Sequence, residues 1–467
     1  MREVAGLATS PPSPGPYSGV SASPAGRRFD PWRLYLLAAT ILVPVLLTPG
    51  PVQLAPIDAL NAAAIGIFLL VSAHRGGSGL RIPFLAPVTV ISIGSLLSIT
   101  NARSVPLSLL TLLQDVYLYL WLILLVNMMA QHGRLRPIRI AWAWTAIGTA
   151  LFGLIVVLAH GHGSIAEIVA PRGARAISTF TNPNYFADYL VLSFFIVLST
   201  TDEVGRRFRA FAVIVLLLGL LSTKSNGGAI ALLSGLAAWG IARAYMRRIR
   251  PMAIVGAATL AIALAVLGWS LVSEWRLGAG ALNRLREGSY AGRMEHSSES
   301  RLRIWSQLKE TYSRSPLGIG PGNSRALIVP VEQRQRPGSL QSKEAHSDYL
   351  GFAIERGPIA LVGLLMLIGE AFGRVGRFWS RLARGEPRPV WGSAFAAAMI
   401  AGLVASSVHS LVIEKLHFRH FWLFLAVLYA ATEDTIAQPA SGAESSSSLL
   451  GSRPALNLPR NHLQETK

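Results

Sequence analysis

Four short segments of this 467-residue chain gather residue types that can hold a phosphate and move a proton. The first is Arg172 and Arg175, followed by Thr-Phe-Thr-Asn-Pro-Asn at 179–184, which includes Asn182 and Asn184. The second is the turn Ser-Thr-Lys-Ser-Asn-Gly-Gly at 222–228, which carries Lys224. The third, Pro-Leu-Gly-Ile-Gly-Pro-Gly-Asn at 316–323, is rich enough in glycine for backbone amides to approach an anion closely. The fourth is Ala-His-Ser-Asp-Tyr-Leu at 345–350, with Glu355-Arg356-Gly357 shortly after. Guanidinium groups fork onto phosphate oxygens, and His346 has the intrinsic pKa of a base that works near neutrality. Each segment alone has a plainer reading. Arginines at a helix end can snorkel to headgroups, and a lysine in a turn can be a solvated charge. A glycine run is often just a turn, and a lone histidine is often structural.

The elements that must position these residues are membrane helices. Hydrophobic residues make up 51% of the chain and charged residues 14%, against the ~25% charged usual in soluble domains. Mean hydropathy is +0.44. A soluble enzyme is excluded. Twelve apolar blocks read as spans: 33–49, 56–73, 82–99, 105–129, 138–160, 185–200, 208–222, 227–242, 252–272, 349–372, 390–412 and 418–432. The seventh and twelfth are the weakest. Trp32, Trp121, Trp269 and Trp422 fall where interfacial anchors would sit. Asp115, deep in the fourth block, must be paired or reach water, with packing against a polar partner the first reading, and Asp188 in the sixth can pair with a cation near the outer face. The chain has no cysteine, so it has no disulfide framework, thiolate metal site or cysteine nucleophile.

The net charge of +19 would suggest nucleic acid in a soluble protein. Here the excess sits in short loops, seventeen Lys and Arg on one side against six on the other. This bias places both termini in the cytoplasm and predicts no nucleic-acid partner. Arg172, Arg175 and Lys224 then cluster outside, where the same rule disfavours cations. A dianionic ligand accounts for the exception, and a lipid-linked diphosphate is the natural candidate. The outer loops hold no Asp-x-Asp sequence and no close His, Asp and Glu set, so neither metal nor cofactor is expected. Residues 273–347 are too polar and too long for a hairpin loop and read as a helical extracytoplasmic subdomain between spans nine and ten. Within it Leu302, Trp305, Leu308 and Tyr312 share one face of a helix over 299–312. The expected organisation is a disordered tail at 1–31, helices at 32–272, the loop subdomain at 273–347, helices at 348–432 and a second disordered tail at 433–467.

Arg175 with Thr-Phe-Thr-Asn-Pro-Asn, the Thr-Lys-Ser-Asn-Gly-Gly turn, Arg301-x3-Trp305, Pro-Leu-Gly-Ile-Gly-Pro-Gly and His346 with Glu355-Arg-Gly occur in an order and spacing that resemble the O-antigen ligase and polymerase family. The likeness runs over roughly 172–370. It implies an all-α integral membrane protein of the bacterial inner membrane, with about twelve helices in a GT-C-like fold and a periplasmic loop subdomain. It implies a metal-independent glycosyltransferase that moves glycan from an undecaprenyl-diphosphate carrier to an acceptor, lipid A core or similar, at the periplasmic face. By position, His346 matches the family's base and Arg175 its diphosphate-binding arginine, while Arg301 matches an arginine of the loop helix. Arg172 and Lys224 are further diphosphate candidates, and Asn182, Asn184 and Glu355 possible substrate contacts. The family usually has Ser-Arg in the turn after span seven; here it is Ser225-Asn226, with Lys224 in place to supply the cation.

Ligase and polymerase share this signature and differ in the acceptor, with the ligase slightly favoured. A protein O-oligosaccharyltransferase is a further reading. A twelve-span transporter is the rival of another class, although transporters gather their sites near the midplane between repeated halves.

Overall fold

Proline in a helix's first turn sacrifices no hydrogen bond, and an Asp or Asn ahead of it caps free amides. Asp30-Pro31 and Asn182-Pro183 begin helices in this way. The computed structural model describes residues 29–46, 55–77, 79–131, 133–158, 175–180, 182–201, 203–246, 305–306, 309–326, 346–384 and 391–433. Its long helices are α1 (Pro31–Leu42), α2 (Pro56–His74), α3 (Leu85–Ser98), α4 (Val105–Met129), α5 (Leu135–Leu158) and α6 (Pro183–Ser199). They continue with α7 (Arg206–Thr223), α8 (Asn226–Met246), α9 (Gly357–Ala383), α10 (Ser393–His409) and α11 (Arg419–Glu433). A helical turn, Asp348–Gly351, and a π-helical turn, Phe352–Arg356, lead directly into α9. No strand occurs among the described residues. The expected ninth span at 252–272, most of 273–347, and nearly all of both tails lie outside the described residues.

By length and composition, α2, α4, α5, α8 and the continuous segment Asp348–Ala383 can each cross a membrane. Leu85–Asn101, α6 and α10 are apolar but shorter. Large side chains such as Leu70, Leu113, Ile155, Leu221 and Leu233 stand exposed on outer faces, a surface suited to lipid rather than water. The described residues form an all-α, membrane-type bundle. The interior belongs to α6 and α11, which are buried along almost their whole length. That position explains why α11 is weak in hydropathy: an interior helix can carry Arg419 and His420 where partners meet them.

Small residues bring the helices together. α9 lies on α3, where a Cβ on Gly94 would stand 2.4 Å from the Ala360 backbone nitrogen. α10 packs against both α8 and α6, α5 against α7, and α11 against α4. The ends of the bundle away from the candidate site are stapled by arginines. Arg139 is fully buried, donates to the Ser199 carbonyl at 2.9 Å, pairs with Glu203 and lies 4.1 Å from the Trp391 ring centre. Arg374 covers the Tyr429 ring at 3.5 Å and pairs with Glu433 at 3.0 Å.

Two expectations are corrected here. α1 ends at Leu42 rather than near 49, because Pro44 offers no amide to continue it, and the chain turns so that Leu46 N donates to the Thr179 carbonyl. Trp121 and Trp422 are interior residues rather than interfacial anchors. Trp121 is buried and donates to the Tyr35 hydroxyl at 2.9 Å, and Trp422 donates to the Leu416 carbonyl at 2.6 Å. Their indole N–H groups have found protein partners instead of headgroups.

Candidate active site at one end of the bundle

The first two segments meet through backbone and side chain. Ala176 N donates to the Ser222 carbonyl at 2.9 Å, and Arg175 Nε donates to the Thr223 carbonyl at 2.8 Å. Arg175 Nη2 also donates to Asn184 Oδ1 at 3.2 Å. Asn182 caps α6 by accepting the Asn184 amide at 2.8 Å, so it shapes the corner while Asn184 orients the arginine. Lys224 is the C-terminal cap of α7 and sits in left-handed backbone at φ 49°. Arg172 and Arg301 lie outside the described residues.

The third and fourth segments dock on each other. Ile319 N donates to the Ile354 carbonyl and Gly320 N to the Glu355 carbonyl. Gly318, Gly320 and Gly322 all have positive φ, and a Cβ on Gly320 would stand 2.5 Å from Ser108 Oγ, so the run requires glycine. Asn323 fastens the loop to the start of α4, donating to Ser108 Oγ at 2.7 Å and accepting from Ser104 N at 2.8 Å. The amides of this loop do approach an anion, and that anion belongs to the chain. Glu355 accepts from Gly322 N at 2.8 Å and from Ser324 N at 3.0 Å. Trp305 and Tyr312, from the expected apolar face of the loop helix, pack onto Ile319 and Ile354 above it.

His346 also occupies left-handed backbone, at φ 52°, and is half-buried. Ser347 and Asp348 behind it clasp the loop between α10 and α11. Asp348 N donates to the Ser410 carbonyl, and Asp348 Oδ1 accepts from Lys415 N at 2.9 Å. Left-handed backbone is uncommon for residues other than glycine, and two candidate residues here, Lys224 and His346, adopt it.

The loop at 410–418 joins the two halves of the site. Lys415 is buried; its ammonium donates to the Ser406 carbonyl at 2.6 Å and lies 3.4 Å from Asp188 Oδ1. Asp188 is also 2.6 Å from His409 Nδ1 and 2.9 Å from His420 Nε2, so the expected cation partner comes with two imidazoles. The Tyr185 and His417 rings meet edge to face at 6.2 Å, next to Asn184. Asp115 pairs with Arg356, which also donates to Ser95 Oγ at 3.0 Å. A cleft opens beside this pair, walled by α4, the π-helical turn and the 410–418 loop.

A second network was not legible beforehand. Asp58, at the start of α2, accepts from Arg419 Nε and from the Tyr117 hydroxyl, each at 2.7 Å. Asn61, Tyr35 and Trp121 extend it inward. The signal for this region was the dense polar run Glu-Lys-Leu-His-Phe-Arg-His at 414–420, which supplies both networks. Chemically, the end of the bundle offers a cationic corner at Arg175 and Lys224 and, across the 410–418 loop, a cleft rich in carboxylates.

No curated protein matches the chain. Residues 211–365 match the family model described as O-antigen ligase, a stretch running from α7 through the glycine loop, His346 and Glu355 into α9. The match places this segment of the chain in the O-antigen ligase and polymerase family.

Proposed function

We propose that the protein is a glycosyltransferase that moves glycan from an undecaprenyl-diphosphate carrier to a lipid or glycan acceptor at the periplasmic face of the bacterial inner membrane. The observation that carries this reading is the Arg175 corner, where one guanidinium ties the start of α6 to the Thr223-Lys224 turn at the edge of the family segment. In this reading twelve helices form a GT-C-like body, both termini are cytoplasmic and 273–347 is periplasmic. Arg175 and Lys224, with Arg172 and Arg301, hold the diphosphate. The acceptor hydroxyl oxygen bonds to the anomeric carbon as that carbon's bond to the diphosphate oxygen breaks. The bonding pair leaves with the diphosphate, whose charge the cations stabilise, and the hydroxyl proton passes to His346. Asn184 orients Arg175, and Glu355 holds the glycine loop beside the reaction. No metal takes part.

The ligase activity is the first reading and a repeat-unit polymerase the second. The test is transfer by detergent-solubilised protein given a lipid-diphosphate glycan, with and without chelator. Transfer without a sealed compartment is expected, which no transporter would give, and it should persist in chelator. In a deletion strain, long carrier-linked glycan with bare acceptor marks a ligase; a single repeat unit on the acceptor marks a polymerase.

A further inference from the structure

The first turn of α8 rests on three other elements. Gly227 and Gly228 are buried there, and a side chain on either would press on its neighbours. A Cβ on Gly228 would stand 2.9 Å from the Ala187 Cβ of α6. A Cβ on Gly227 would stand 3.2 Å from His409 Nε2, at the end of α10, and 2.7 Å from Val412 Cγ2 in the 410–418 loop. One carboxylate ties these supports together. Asp188, next to Ala187, lies 2.6 Å from Nδ1 of the same His409 ring and 3.4 Å from the Lys415 ammonium of the loop that carries Val412. Its other oxygen is 2.9 Å from His420 Nε2 of α11. Asp188, His409, Lys415 and His420 are each no more than 2% exposed. Burying such a set is costly, and apolar packing could join the same helices at lower cost. Ionisable groups kept inside a membrane bundle mark function.

Both oxygens of Asp188 are engaged by these partners, so any effect on the site passes through what it holds. Gly227 lies three residues after Lys224. On the other side of the same turn, Arg175 Nε donates to the Thr223 carbonyl and Ala176 N to the Ser222 carbonyl. We infer that Asp188 is a positioning residue of the donor site: through His409 and the 410–418 loop it seats Gly227 and Gly228, and so holds Lys224 in the corner with Arg175. This rests on the glycosyltransferase reading and deepens it. Asp188 touches neither donor nor acceptor and moves no proton. A displacement of α8's first turn by about 1 Å would carry Lys224 away from the Arg175 fork, and misplacement on that scale can cost a site about 10²-fold.

The test uses the full chain in detergent, with undecaprenyl diphosphate as probe and backbone hydrogen exchange of 222–228 as a readout that needs no ligand. Asp188→Asn keeps the shape and removes the carboxylate. Gly227→Ala leaves the buried cluster whole and presses a methyl on His409 and Val412; Gly227 lies in α8 without a positive φ, so alanine adds no backbone strain. Each should weaken undecaprenyl diphosphate about tenfold and speed exchange of 222–228, with 319–324 exchanging at the parent rate. A merely structural role would weaken binding alike in any background. A role exerted through Lys224 should add no more than about twofold once Lys224→Gly has removed the ammonium. Should Asp188→Asn not fold, the double change with Lys415→Met, which leaves no ammonium without its counter-ion, takes its place. Parent-like binding or exchange in either variant, a full tenfold loss on top of Lys224→Gly, or faster exchange of 319–324 as well would each overturn the inference. If undecaprenyl diphosphate binds and Arg175→Ala weakens it while the Asp188 and Gly227 variants match the parent, the positioning role alone fails. If it does not bind the parent but the exchange pattern holds, the donor reading fails and the seat of the turn stands.

Discussion

Arg175 Nε donates to the backbone carbonyl of Thr223 at 2.8 Å, so the guanidinium is anchored to the residue that immediately precedes Lys224. One contact therefore aligns the planar cation of the first segment with the point cation of the second. Arg175→Ala should lower donor use by about 10²-fold, as removal of a charge-stabilising donor does, and Arg175→Lys should recover only part of it because the fork is lost. Transfer rates against donor concentration, at matched membrane levels, decide this.

Lys224 offers an unusually clean separation of charge from fold. Its φ of 49° is a conformation glycine adopts freely, so Lys224→Gly should change stability by no more than about 1 kcal/mol while removing the ammonium. Donor KM should rise in Lys224→Gly and stay near the parent value in Lys224→Arg. A normal KM in Lys224→Gly would show that this cation does not hold the donor.

His346→Gly follows the same logic at φ 52°. Transfer should fall by about 10²–10⁴-fold with donor binding and expression retained, the usual share of a general base. Well-folded protein with near-normal transfer would exclude His346 from that role.

The Glu355 carboxylate accepts from two backbone amides of the glycine loop. Glu355→Gln should destabilise the solubilised protein by about 1.5–3 kcal/mol, the value of hydrogen bonds to a charged group. Gly322→Ala should be worse than a surface Gly→Ala change, since φ is 77° and the new Cβ would stand 2.6 Å from Thr111 Oγ1. Thermal unfolding in detergent measures both.

Asp188 and Lys415 are buried together. Asp188→Ala removes the counter-ion of the Lys415 ammonium and the partner of two imidazoles and should cost about 3–5 kcal/mol; adding Lys415→Met should restore the part owed to the ammonium. A double-mutant cycle on unfolding midpoints reads the coupling, and additive effects would contradict it.

Hydropathy located helices: blocks at 56–73 and 105–129 became α2 and α4 almost residue for residue, because burial in lipid is a local demand on composition. The same local information marked the four polar segments and pointed to partners for Asp115 and Asp188. It could not name most of those partners. Arg419 reaches Asp58, Glu355 reaches the amides of Gly322 and Ser324, and Lys415 joins Asp348 to Asp188 only after the helices have chosen neighbours and rotations. Which charges meet depends on packing between segments far apart in the chain, set by small contacts such as Gly94 on Ala360. The tertiary structure therefore decided that the glycine loop holds the protein's own carboxylate, and that a cationic corner and an acidic cleft share one end of the bundle.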